Sequence, residues 1–117
     1  MAEPSPPQVI QSYGDGLFRI AGEERRGSVI VFTDSTVPWS GEITEAGLAE
    51  VFAAAETLDL LLLGCGSAMR PVAPALRAAL RRAGIAVEPM DTGAACRTFN
   101  VLLGEGRRVA AALVVVG

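Results

Sequence analysis

The chain contains no histidine and no lysine among its 117 residues. Acid–base and nucleophilic mechanisms usually rest on such groups, so a catalytic carboxylate here would have only another carboxylate as its partner. No HExxH or GxSxG string occurs either. Most hydrolase chemistries are thereby excluded, and no catalytic residue is expected. The two cysteines, Cys65 and Cys96, lie far apart with no CxxC. With no histidine to join them, a zinc site is not expected, and neither is any cofactor. Aromatic residues make up only 5% of the chain. Alanine, valine and leucine must therefore fill the core, which suits helices packed closely on a sheet. No apolar run approaches the roughly 20 residues that a membrane helix needs. The Pro-rich start, MAEPSPPQ, lacks a basic segment followed by an apolar one, so no secretory signal is expected. The expectation is a cytoplasmic protein with free thiols.

Half of the residues are hydrophobic, which marks a globular rather than a disordered chain. A chain of this size buries roughly two thirds of its unfolded surface, enough for a core without staples. The formal net charge of −3 argues against a general nucleic-acid binder, whose affinity depends on neutralising phosphates. Arginines cluster at Arg25–Arg26, at Arg70, Arg77, Arg81 and Arg82, and at Arg107–Arg108. Their simplest reading is as solvated faces.

The hydrophobic pattern predicts a disordered Met1–Gln8 and a single α/β domain over residues 9–117. Val9–Tyr13 and Leu17–Ile20 read as a hairpin around Gly14–Asp15–Gly16. Ala21–Gly27 reads as a charged loop, Ser28–Thr33 as a strand inside the sheet, and Asp34–Gly41 as irregular. Thr44 can cap a helix running to about Ala55, whose Leu48, Val51, Phe52 and Ala55 form an apolar stripe. Leu58–Leu63 reads as a buried strand and Val72–Ala83 as an amphipathic helix closed by Gly84. Ile85–Met90 returns as a strand parallel to Leu58–Leu63. Thr92–Leu103 reads as a helix burying Ala95, Phe99, Leu102 and Leu103. The unbroken apolar run Val109–Val116 then reads as a central strand.

Candidate site residues gather where α/β sheets place ligands, just past the C-terminal ends of strands. Gly64–Cys65–Gly66 resembles the start of a phosphate loop, without GxGxxG or a Walker lysine. It is either an anion cradle of backbone N–H groups or a tight turn. Asp91 opens the last helix, where capping alone would account for it. Cys65 and Cys96 follow strand ends and could share one rim. Cys96 lies where a helix dipole lowers a thiol pKa, although a lone cysteine also serves as a small buried hydrophobe. Arg97 and Asn100, three apart, point together off the buried stripe. They are either a binding pair or ordinary surface residues.

Tyr13–Ile20 (YGDGLFRI), Pro38–Trp39, Leu61–Gly66, Gly84–Thr92 (GIAVEPMDT) and Cys96–Leu113 (CRTFNVLLGEGRRVAAAL) resemble a family of small domains. It includes mitochondrial NADH dehydrogenase (complex I) assembly factor 3 and bacterial and archaeal homologues, of which this chain reads as a bacterial member. The resemblance implies a three-layer α/β domain with a mixed central sheet whose last strand runs against the others. It also implies a non-catalytic helper in assembling respiratory complex I. Two functions follow for testing. The first is a module that binds partner proteins, for which Val101 and Trp39 would be exposed apolar contacts. The second is an anion- or small-molecule-binding protein, or an enzyme, using Gly64–Ser67, Asp91–Gly93, Arg97 and Asn100. A concave polar pocket at that rim would favour the second, and a flat apolar patch the first.

Overall fold

The computed structural model describes residues 6–117. The expected disorder of residues 1–5 lies outside the described residues. Gln8, in the same Pro-rich start, is buried, and its side-chain Oε1 accepts from Thr36 Oγ1 at 2.7 Å.

The chain opens with three antiparallel strands, β1 (Ile10–Gly14), β2 (Leu17–Ile20) and β3 (Glu23–Arg26), in the order β1-β2-β3. The expected hairpin is there, but the charged loop beyond it is a strand. EERR has no apolar alternation because both of its faces are largely wet, and its Arg25–Glu23 and Arg26–Glu24 pairs are formed within the strand. Next come β4 (Val29–Val31), β5 (Thr36–Pro38) and a short helix α1 (Ala49–Ala53), which is followed by a 3-10 turn over Ala55–Thr57. Then follow β6 (Leu60–Gly64), α2 (Pro74–Arg82), β7 (Ala86–Met90), α3 (Thr92–Gly104) and β8 (Val109–Leu113).

Strands β4 to β8 form a five-stranded sheet in the order β5-β4-β8-β6-β7. β6 is parallel to β7 and to β8, while β4 is antiparallel to β5 and to β8. The odd strand is therefore β4 and not the last one, which corrects the order implied by the family resemblance. The reason is in the connections. α2 and α3 are crossovers, and a crossover returns the chain parallel, whereas the short β4–β5 turn must reverse it. β8 is central, as its apolar run predicts.

The sheet buries both faces. Ile30, Leu61, Leu63, Ala110 and Ala112 face α1 and α2, meeting Leu48, Val51, Leu76 and Leu80. The alternate residues Val29, Val31, Leu62, Val109, Ala111 and Leu113 face α3 and the three-stranded sheet, meeting Ala95, Cys96, Phe99, Ile10, Phe18 and Ile20. The period of two in β8 thus serves two cores at once. Its alanines leave room for a helix to approach closely.

α1 is shorter than the pattern predicts. Thr44 does not cap it: Leu48 is the N-cap, without a side-chain bond, and Thr44 Oγ1 instead accepts from Gly47 N at 2.9 Å within the turns that precede the helix. The indole N–H of Trp39 takes the Gly47 carbonyl at 2.8 Å, so residues 44–48 form turns rather than regular helix. Trp39 is half-buried against the first core, not the exposed apolar contact expected of it. Arg77, expected on a solvated face, is half-buried and its Nη1 donates to Val87 O at 3.3 Å. In β7, Ala86 N and Met90 O bond toward β6, so Val87 and Pro89 turn to the open edge. An arginine over one carbonyl and a proline without N–H blunt that edge against further strands.

Candidate functional site

The glycine turn, Gly64–Cys65–Gly66, is wholly buried. Its polar groups are bonded within the chain. Cys65 N donates to Met90 O at 2.8 Å, and Gly64 O accepts from Val114 N at 2.8 Å. Gly66 N donates to Thr92 Oγ1 at 2.9 Å, and Thr92 Oγ1 donates to Val114 O at 2.7 Å. Thr92 N in turn donates to Gly66 O at 2.8 Å. One fully buried threonine thus laces β6, α3 and the end of β8 together. A Cβ on Gly64 would stand 2.9 Å from Leu113 Cδ2 and 3.0 Å from Thr92 Cα, so glycine is needed for α3 to start against β6. Here the donors that would form an anion cradle serve packing instead.

Asp91 caps α3, its Oδ1 accepting from Ala94 N at 2.8 Å. The two cysteines do not share a rim. Cys65 lies in the core under α1 and α2, and Cys96 in the opposite core under α3. Both are free thiols. Burial pushes the Cys96 thiol up to about 12, against the pull of neighbouring Arg97. Desolvation outweighs the helix-start effect that the sequence suggests for Cys96, and a reactive thiolate is disfavoured.

Asn100 does not point out with Arg97. Its Oδ1 accepts from Ile10 N and its Nδ2 donates to Ile10 O, both at 2.8 Å. This amide clamps the start of β1 to α3 as a neighbouring strand would. Arg97 is exposed, and its Nη1 lies 3.4 Å from the Tyr13 hydroxyl. That hydroxyl sits over Gly93, where a Cβ would collide with it. Tyr13 (42% exposed), Arg97 and Val101 (60% exposed) therefore form one surface along α3 and β1. The sequence offers no sign that Tyr13 belongs to it. Its partners lie more than 75 positions away, and the only local hint is a glycine inside a helix.

Clefts open elsewhere on the molecule. One, of about 350 Å³, lies at the opposite end of the sheet between the β4–β5 turn and α1. Its walls include Phe32, Val37, Leu58 and Val109 with Asp34 and Glu50. Another, of about 400 Å³, runs between α2 and β7 past Arg77, Arg81 and Glu88. Among the described residues, no cluster of three or more His, Cys, Asp or Glu side chains could hold a metal ion. No helix among them is long and apolar enough to cross a membrane.

The chain is 43% identical to an uncharacterized protein of Rhodobacter capsulatus, over 90% of this chain and 82% of that protein. It is 33% identical to NADH dehydrogenase [ubiquinone] 1 alpha subcomplex assembly factor 3 of mouse, over 90% of this chain. The match covers 59% of the mouse protein, so this chain spans about three fifths of that relative. The crystal structure of a Bartonella henselae protein, described as an outer membrane protein, superposes with a TM-score of 0.89 at 34% identity. That superposition covers 98% of this chain and 100% of the other. Residues 10–114 match the family described as protein of unknown function (DUF498/DUF598), and the chain belongs to that family.

Proposed function

We propose that this chain is a non-catalytic protein-interaction module, acting in the cytoplasm, that assists the assembly of a membrane-bound respiratory complex. The observation that carries this reading is the 33% identity to the mouse assembly factor, which extends over 90% of this chain. The similarity covers the α/β domain itself and not an isolated motif. The partner surface in this reading is the outer side of α3 with β1, where Tyr13, Arg97 and Val101 lie side by side. An exposed aromatic, an arginine and a β-branched apolar residue suit a contact with protein, since tyrosine and arginine are enriched at interface hot spots. Gly64, Cys65, Gly66, Asp91 and Asn100 then shape and hold that surface without touching the partner. The alternative, an anion or small molecule at the glycine turn, is less favoured because Cys65 N and Gly66 N are already bonded.

The test is genetic and structural together. Deleting the gene in the cell of origin is expected to deplete the fully assembled NADH-oxidising complex on native gels. The wild-type chain restores it, and Arg97→Glu with Val101→Glu does not, although the variant melts like the wild type. Normal amounts of complex in the deletion strain would sink the assembly role. Full rescue by the double variant would move the partner surface away from α3.

A further inference from the structure

We propose that the cleft between the β4–β5 turn and α1 binds a small amphiphilic primary amine. Asp34 and Glu50 receive the ammonium group, and a short hydrocarbon chain lies on Phe32, Val37 and Ala54. The cleft measures about 350 Å³, within the range of small-molecule sites, which run from about 300 to 1,000 Å³. Its two carboxylates come from different elements, the β4–β5 turn and α1. Neither is paired, since the three ion pairs among the described residues are Arg25–Glu23, Arg26–Glu24 and Arg108–Asp59. No basic side chain lines the cleft. The charge it presents is therefore negative, and an ammonium donor is the complement that neutralises it.

The walls fix the rest of the ligand. Phe32, Val37 and Ala54 are partly buried and pack on the core that contains Leu58, so they leave apolar surface open to the cleft. A hydrated metal ion has no use for such walls, and two carboxylates supply too few oxygens for calcium, which takes six to eight. A hydrocarbon chain on a cationic head satisfies both halves of the site. The turn is also braced before any ligand arrives. Phe32 N donates to Ser35 O at 2.7 Å, and Thr33 O accepts from Gln8 N at 3.3 Å. Preorganisation of this kind lowers the entropy lost on binding.

The probe is n-hexylamine, titrated as its ammonium salt into the isotope-labelled chain, with hexanoate and n-hexanol alongside. The expected result is saturable movement of backbone amide resonances of residues 32–35 and 53–58 with hexylammonium. Hexanoate produces none there, and hexanol only weak movement. Asp34→Asn with Glu50→Gln weakens hexylammonium binding about tenfold or more, the scale of losing charged hydrogen-bond acceptors. Asp34→Lys, which places a tethered ammonium in the cleft, abolishes it. Dispersed spectra show in the same experiment that each variant is folded. The proposal is overturned if hexylammonium causes no saturable movement at those residues, if hexanoate binds equally well, or if both folded variants bind like the wild type.

Discussion

The two ends of the five-stranded sheet are built for different purposes. At one end, β6 and β8 run out into Gly64–Gly66 and Val114, and α3 begins. The backbone groups of the glycine turn bond within the chain, with Thr92 at the centre of the lacing. At the other end, the β4–β5 turn and α1 stand apart, leaving a cleft with two unpaired carboxylates. Ligands in α/β sheets are expected outside the carboxyl ends of parallel strands. In this molecule that end is sealed and the open cleft lies opposite. The antiparallel β4 is one cause. It carries its turn, and the polar residues Thr33, Asp34 and Ser35, to the end where the parallel strands begin. Strand direction, more than glycine content, decides which end stays open.

The comparison breaks if the sealed end tolerates change, so the largest effects are expected there. Leu113 is fully buried between β8 and the start of α3. Leu113→Ala is expected to lower stability by about 2–5 kcal/mol, read from denaturant unfolding. A loss under about 1 kcal/mol would show a loosely packed end. Next in size is Thr92→Val, which keeps the shape and removes the hydroxyl. It leaves Gly66 N–H and Val114 C=O without their partner. The expected loss is about 1–3 kcal/mol, the cost of buried polar groups left unsatisfied. An unchanged midpoint would mean that water reaches Gly66, and the end would not be sealed.

A third test concerns how the three-stranded sheet is held to α3. Asn100→Ala removes both bonds to Ile10 and is expected to destabilise by about 1–2 kcal/mol. Hydrogen exchange should rise first at the amide of Ile10. An unchanged melting curve would return Asn100 to the exposed face that helical spacing alone assigns to it.

Asn100 marks the limit of helical periodicity as a guide to exposure. Helical periodicity places the stripes of α2 and α3, and the unbroken apolar run of β8 marks it as central. Those signals are local, because burial repeats with the element's own geometry. Asn100 is half-buried through a partner 90 positions earlier, and no local period encodes such a pairing. β3 escapes pattern reading for a different reason. EERR is half of a two-faced polar strand, so it carries no alternation to read. β5 is three residues long and ends in proline, leaving almost no pattern. The cleft carries no local signal, because Asp34 and Glu50 line it together only once α1 lies beside the β4–β5 turn.

The smallest expected effect belongs to the open end. Asp34 and Glu50 are exposed, and neither carboxylate is in an ion pair among the described residues. Asp34→Asn with Glu50→Gln is therefore expected to change stability by no more than about 0.5 kcal/mol at each position. The sign could favour the variant. Both residues contribute to a negative net charge of −3, and removing like charges from one cleft relieves repulsion. The measurement is urea unfolding at low and at high salt. Equal midpoints at high salt, with a slightly stabilised variant at low salt, would mark the two carboxylates as mutually repelling surface groups. A loss of more than about 1 kcal/mol would instead show that they hold the β4–β5 turn or α1 in place. In that case both ends of the sheet would be structural, and the contrast between them would fall.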